Sequence, residues 1–207
     1  MKSIFLASYF TEVKDLFLEY IKDNQKTRTV TFIPTAANPE EYKFHVTSDM
    51  DALKESGFTI EVLDVSVTEE NIIAKQIDKN DFLFVSGGNT FYLLQELKKK
   101  NADTMIIEYI NSGKTYIGSS AGSVILAKDI GYLEKMDDKS VAKELHDNHG
   151  LGMIDFCLLP HYKSEPFTDI AEEIYNDYKD VIDIKPITNH QAFVFSHGAC
   201  VLINKKT

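Results

Sequence analysis

The sequence predicts a three-layer α/β fold, a doubly wound and mostly parallel sheet with helices on both faces. Short β-branched and aromatic runs alternate with stretches of helical periodicity, and one run, Phe82-Leu83-Phe84-Val85, is apolar at every position. Such alternation builds βαβ units, and a strand apolar on both faces belongs at the centre of a sheet covered on both sides. The third observation is scale: 207 residues, 43% apolar and 26% charged, suit a single domain over residues 1–207.

The elements follow in order. Ile4-Phe5-Leu6-Ala7 reads as the first strand, residues 13–21 as a helix and Val30-Thr31-Phe32-Ile33 as the next strand. A helix over 40–55 stops at Gly57, and Phe58-Thr59-Ile60-Glu61-Val62-Leu63 returns to the sheet. After the central run at 82–85, helices are predicted over 91–100 and 102–111, then a strand at Thr115-Tyr116-Ile117-Gly118 and a helical run at Val124-Ile125-Leu126-Ala127. Near the end, Ala192-Phe193-Val194-Phe195 and Ala199-Cys200-Val201-Leu202-Ile203 flank Ser196-His197-Gly198 and read as a hairpin. Residues 132–151 are crowded with charge; so long a polar stretch between apolar elements is a solvated or a functional loop.

A net charge of -10 argues against a nucleic-acid partner, which is held chiefly by clustered Lys and Arg. The apolar stretch that begins after Met1 is too short before Glu12 for a secretory leader, and no run approaches the roughly 20 apolar residues that cross a bilayer. A cytoplasmic protein with no membrane partner is the expectation. Cys157 and Cys200 lack zinc-like spacing, so reduced thiols and no metal are expected.

The chemistry concentrates at Gly118-Ser119-Ser120-Ala121-Gly122, a G-x-S-x-G pattern between a strand and a helical run. There a sharp strand-to-helix turn strains the central residue, and small flanking residues let strand and helix approach. The competing reading is a tight Gly/Ser turn without chemistry. Ser120 is the candidate nucleophile; Ser119 and Ser123 lack glycines on both sides. Its base is expected to be His161, which follows the apolar run Phe156-Cys157-Leu158-Leu159-Pro160 and so falls just past the carboxyl end of a strand. His45, His146, His149, His190 and His197 are less favourably placed. Asp137 and Asp138, ahead of Glu134, are the acids expected to orient the imidazole. Ser86-Gly87-Gly88-Asn89-Thr90 opens a helix after the central strand, where backbone amides can receive developing negative charge. Neither a Walker loop nor G-x-G-x-x-G after the first strand supports a nucleotide.

Taken together, Ser86-Gly87-Gly88-Asn89-Thr90, Gly118-Ser119-Ser120-Ala121-Gly122-Ser123, Met136-Asp137-Asp138 and Gly150-Leu151-Gly152 leading to Leu159-Pro160-His161-Tyr162 resemble peptidase family S51, which includes aspartyl dipeptidase (peptidase E) and cyanophycinase. The resemblance runs from the first strand to Gln191-Ala192. It implies a fold like class I glutamine amidotransferase domains (flavodoxin-like), Ser120 as nucleophile, His161 as base, Asp137 or Asp138 as third member, and Gly88 and Ala121 as oxyanion amides. One departure bears on substrate. Aspartyl dipeptidases carry an arginine after the histidine, whereas this chain reads Lys163-Ser164-Glu165-Pro166-Phe167. Lys163 is the cation left to stand in, with Asn89 as a second substrate-binding candidate. The expected activity is cofactor-free hydrolysis of small peptides. Another amide or ester substrate, or a noncatalytic binding domain, are the rivals, and monomer or homodimer is left open.

Overall fold

A computed structural model describes residues 2–22, 27–196 and 198–205; Met1 and His197, at the predicted hairpin tip, lie outside the described residues. In chain order the strands are β1 (Ser3–Ala7), β2 (Thr29–Ile33), β3 (Thr59–Val62), β4 (Phe82–Val85), β5 (Thr115–Ser119), β6 (Cys157–Leu159), β7 (Ile184–Pro186), β8 (Gln191–Ser196) and β9 (Ala199–Asn204). The helices are α1 (Phe10–Tyr20), α2 (Phe44–Glu55), α3 (Glu70–Lys79), α4 (Thr90–Lys99), α5 (Ala102–Asn111), α6 (Ala121–Val124) and α7 (Thr168–Tyr178). The main sheet has the order β3-β2-β4-β5-β1-β8-β9. Its first five strands run parallel; β8 pairs antiparallel with β1, and β9 antiparallel with β8. β6 and β7 form a separate parallel pair.

The period of two in the strands divides the interior into two layers. Phe82 and Phe84 of β4, with Phe5 of β1 and Phe32 of β2, meet Phe10, Phe17 and Leu53 from α1 and α2. Leu83 and Val85, with Ile4 and Leu6, meet Ile73, Leu94, Leu97, Ile106 and Val124 from α3, α4, α5 and α6. The aromatic layer is tightly fitted: the Phe32 and Phe84 rings stack at 4.8 Å, and Phe10 meets Phe84 edge-on at 4.9 Å. Each such buried ring contributes about 1.5–3 kcal/mol of burial free energy. This is the three-layer arrangement that the apolar run at 82–85 predicts.

The differences from expectation are local. The helix predicted from residue 40 starts at Phe44, leaving Tyr42 exposed in the segment just before α2 and Phe44 exposed in its first turn. α3 and α7 are elements that the apolar runs did not disclose. Each buries only two side chains, Ile73 and Ile77 in one and Ala171 and Ile174 in the other, too thin a stripe to stand out. β7 is three residues long and ends in Pro186. A 3-10 turn at Gly131–Leu133 leads into the polar segment at 132–151, and a second lies within it at Lys139–Val141. Cys157 and Cys200 are free thiols, and no helix among the described residues is long and apolar enough to cross a membrane.

Three neighbouring parallel strands, β4, β5 and β1, bring three short sequences to one rim. Ser86-Gly87-Gly88 follows β4, Ser120 follows β5 and Ser8 follows β1. Parallel pairing makes these carboxyl ends coincide, so the site's location follows from the topology.

Candidate active site

Ser120 sits between β5 and α6 with φ 48° and ψ -112°, a conformation L-residues seldom adopt. The turn is this tight because strand and helix touch. A Cβ on Gly118 would lie 2.6 Å from the Gly122 carbonyl oxygen, and a Cβ on Gly122 would lie 2.0 Å from the Val85 oxygen. The Ser120 amide donates to the Ala7 carbonyl at 3.0 Å, tying the turn to β1. The neighbouring serines have other duties: Ser123 donates to the same carbonyl at 2.7 Å, and Ser119 Oγ accepts from the Phe10 amide at 3.2 Å.

His161 Nε2 lies 2.9 Å from Ser120 Oγ. The imidazole follows β6, as predicted, but β6 belongs to the two-stranded sheet rather than the main one. Contacts across the sequence bring it to the rim: the His161 amide donates to Ser8 Oγ at 2.7 Å, and the ring stacks on Phe167 at 4.8 Å. Its second nitrogen, Nδ1, lies 2.9 Å from Asn189 Oδ1 and 3.2 Å from Ser8 Oγ. Ser8 donates to that same Oδ1 at 2.8 Å. An oxygen facing Nδ1 requires the proton there, which leaves the Nε2 lone pair for the Ser120 hydroxyl. Burial lowers the His161 pKa below its ordinary 6.5, with His45 acting in the same direction and the Asn189 contact opposing it. The ring is therefore neutral at pH 7.

The expectation that Asp137 or Asp138 orients this histidine is overturned. Asp137 Oδ2 accepts from the Thr90 amide at 2.8 Å, at the amino end of α4, where a carboxylate is favoured. Asp138 is exposed and accepts from the Ser140 amide at 2.8 Å. Glu134 pairs with Lys139 at 2.7 Å. Asn189 holds the position instead. It sits between β7 and β8 because β6–β7 pairing continues past the strands, with Ile187 donating to Leu159 and Tyr162 to Ile187. Nothing along the chain singles out Asn189 over the abundant carboxylates; the available signal is its place beside His190, shortly before the strand predicted at Ala192.

The two substrate-binding candidates are also displaced. The Asn89 side chain caps α4, accepting from the Tyr92 amide at 2.9 Å and donating to the Asp138 carbonyl at 2.8 Å. Lys163 Nζ lies over the Tyr162 ring at 5.4 Å and does not line the cavity. Gly88 does line it, and the Asn89 amide donates to the Ala36 carbonyl at 2.9 Å. Ala121 is the first residue of α6.

Ser120, His161 and Asn189 open into a cavity of about 330 Å³. His45, set aside in the sequence as a helical residue, also lines it, with Nε2 3.3 Å from the Gly87 carbonyl oxygen.

The model of peptidase family S51 matches residues 4–203. The chain belongs to peptidase family S51. This S51 chain is 45% identical over 209 residues to an uncharacterized peptidase of Listeria innocua, with both chains covered in full. It is 30% identical over 148 residues to peptidase E of Shewanella denitrificans, covering 71% of this chain and 60% of that one. Among solved structures, a Listeria monocytogenes protein provisionally called peptidase E superposes with TM-score 0.94 at 41% identity, covering both chains completely. A peptidase from an acI-B1 actinobacterium shares the fold, with TM-score 0.71 at 20% identity, covering 99% of this chain and 88% of that one. The S51 peptidase thus has the α/β architecture of class I glutamine amidotransferase domains, as the resemblance implied.

Proposed function

We propose that this S51 peptidase is a serine-type exopeptidase that hydrolyses small peptides through an acyl-enzyme on Ser120. The observation that carries the reading is the 2.9 Å contact between Ser120 Oγ and His161 Nε2, with Nδ1 facing Asn189 Oδ1. His161 takes the hydroxyl proton as Ser120 Oγ attacks the scissile carbonyl, and returns it to the leaving amine as the C–N bond breaks. Water, deprotonated by the same nitrogen, then releases the acid and restores the serine. The amides of Gly88 and Ala121 receive the oxyanion. Asn189 fixes the tautomer as a neutral group, so imidazolium formation is oriented but not charge-compensated. A cavity of about 330 Å³ suits a short peptide.

A fluorophosphonate probe tests the nucleophile. Modification of Ser120, lost in Ser120→Ala, is expected; an unlabelled wild-type protein would favour a noncatalytic binding domain. Peptides run beside acyl p-nitroanilides and esters then separate a peptidase from a hydrolase of other acyl compounds. Turnover of esters alone would overturn the peptidase assignment for this site.

A further inference from the structure

Beyond the serine and histidine, the cavity has a pronounced chemical bias. Among the described residues no Lys or Arg lines it, whereas Glu40, Asp137 and Glu165 do, together with Tyr42, Phe44 and Phe167. The carboxyls share a cavity with the reacting pair. Gly87 packs against the nucleophile, where an added Cβ would lie 3.3 Å from the Ser120 Cβ. The Gly87 carbonyl oxygen is 3.3 Å from His45 Nε2, which is 3.6 Å from Glu40 Oε2. Asp137 is anchored on α4 through the Thr90 amide.

Desolvation, and secondarily Glu40, pushes Asp137 up to about 6; desolvation also raises Glu40, with Lys43 opposing. Lys43 itself is exposed and donates to the Asn38 carbonyl. Burial lowers the pKa of His45, so it supplies no compensating charge at neutral pH. Two partly desolvated carboxyls without a fixed cation gain from a ligand that brings one. A metal does not fit: no group of three or more His, Cys, Asp or Glu among the described residues could hold one. A peptide does bring a cation, because its α-ammonium is separated from the first carbonyl carbon by one Cα. The aromatic walls are open to a side chain, since Tyr42 and Phe44 are 73% and 72% exposed.

We propose that Glu40 and Asp137 seat the α-ammonium of the substrate, that Tyr42, Phe44 and Phe167 receive an apolar first side chain, and that amino-terminal Asp and Glu are rejected. This rests on the serine peptidase reading for turnover, but the seat has its own readout. Calorimetric binding of L-leucinamide is expected for the wild type and for Ser120→Ala, and at least tenfold weaker for Glu40→Gln and Asp137→Asn. Asp137→Asn keeps an oxygen for the Thr90 amide, and circular dichroism and retained fluorophosphonate labelling separate lost binding from lost folding.

In turnover, Leu and Phe p-nitroanilides should exceed Asp p-nitroanilide at least tenfold in kcat/KM, and N-acetyl-Leu p-nitroanilide should lose at least tenfold. Equal cleavage of the acetylated substrate, preference for Asp, absence of leucinamide binding, or unchanged binding in both carboxyl variants would overturn the proposal. So would cleavage confined to Lys and Arg substrates regardless of acetylation, because the cation would then come from the side chain. Failure of labelling with leucinamide binding intact would remove the serine mechanism and leave the seat.

Discussion

The hydroxyl and the imidazole of the candidate site come from regions built on different terms. Ser120 stands at the end of β5, a strand buried throughout and flanked by β4 and β1, and its turn is set by close contacts within a few residues and with the backbone of those two flanking strands, at Val85 and Ala7. His161 and Asn189 stand on loops beyond a two-stranded sheet, and reach the same rim through Ser8, Phe167 and Ser164. The nucleophile is positioned by dense local packing, the base by a few polar contacts between segments distant in sequence. Positions of the first kind tolerate no added atom; those of the second depend on a network whose members can be removed singly.

The largest effect expected is at the nucleophile. Ser120→Ala should lower kcat by about 10⁶-fold, measured on a cleaved peptide, with thermal stability near wild type. A residual rate within tenfold of wild type would place the chemistry elsewhere. Gly122→Ala tests the packing half of the contrast. Its Cβ would meet the Val85 oxygen at 2.0 Å, so denaturant unfolding should show a loss of roughly 4 kcal/mol or more. A loss under about 1 kcal/mol would mean that the elbow can relax.

On the other side, Asn189→Ala should keep the fold but release Nδ1, lowering kcat by about 10²-fold with little change in KM. The pH profile sharpens this. Since burial holds His161 below 6.5, the acid limb of kcat/KM should turn at an apparent value under 6.5. Asn189→Asp should move that limb upward, because a carboxylate beside Nδ1 favours the imidazolium. An unmoved limb would separate Asn189 from the titrating group.

The smallest effect concerns Asp49, buried beneath the elbow, with Oδ1 accepting from Thr11 at 2.9 Å and Oδ2 lacking a partner among the described residues. Burial raises its pKa from 3.8 to about 7. The folded form therefore binds this proton more tightly, and the stability it confers falls as pH rises from about 4 towards 7. Asp49→Asn should flatten that decline by a few degrees in Tm across the window, read by a thermal-shift series. An identical slope in variant and wild type would show that other groups set it.

Much of this contrast was legible along the chain. The apolar run at 82–85 pointed to a central strand, the paired glycines around Ser120 to a close strand–helix approach, and the predicted helix at 102–111 has the bounds of α5. Asp137 and Asp138 were assigned the wrong task because a carboxylate's usefulness depends on what faces it, and Thr90 and Ser140 face these two. Lys163 follows the histidine where the resembled dipeptidases carry an arginine, but its place over the Tyr162 ring keeps it from the cavity lining.

By itself the sequence determined the layer order, the parallel centre and the strained serine, since each depends on side-chain period or on the size of neighbours a few residues away. Tertiary structure alone decided that Asn189 faces His161, that Glu40 and Asp137 share the serine's cavity, and that no Lys or Arg among the described residues joins them. The reason is geometric: periodicity and local sterics are carried by adjacent residues, whereas the partner of a hydrogen-bonding group is chosen by which distant backbone segments happen to pair.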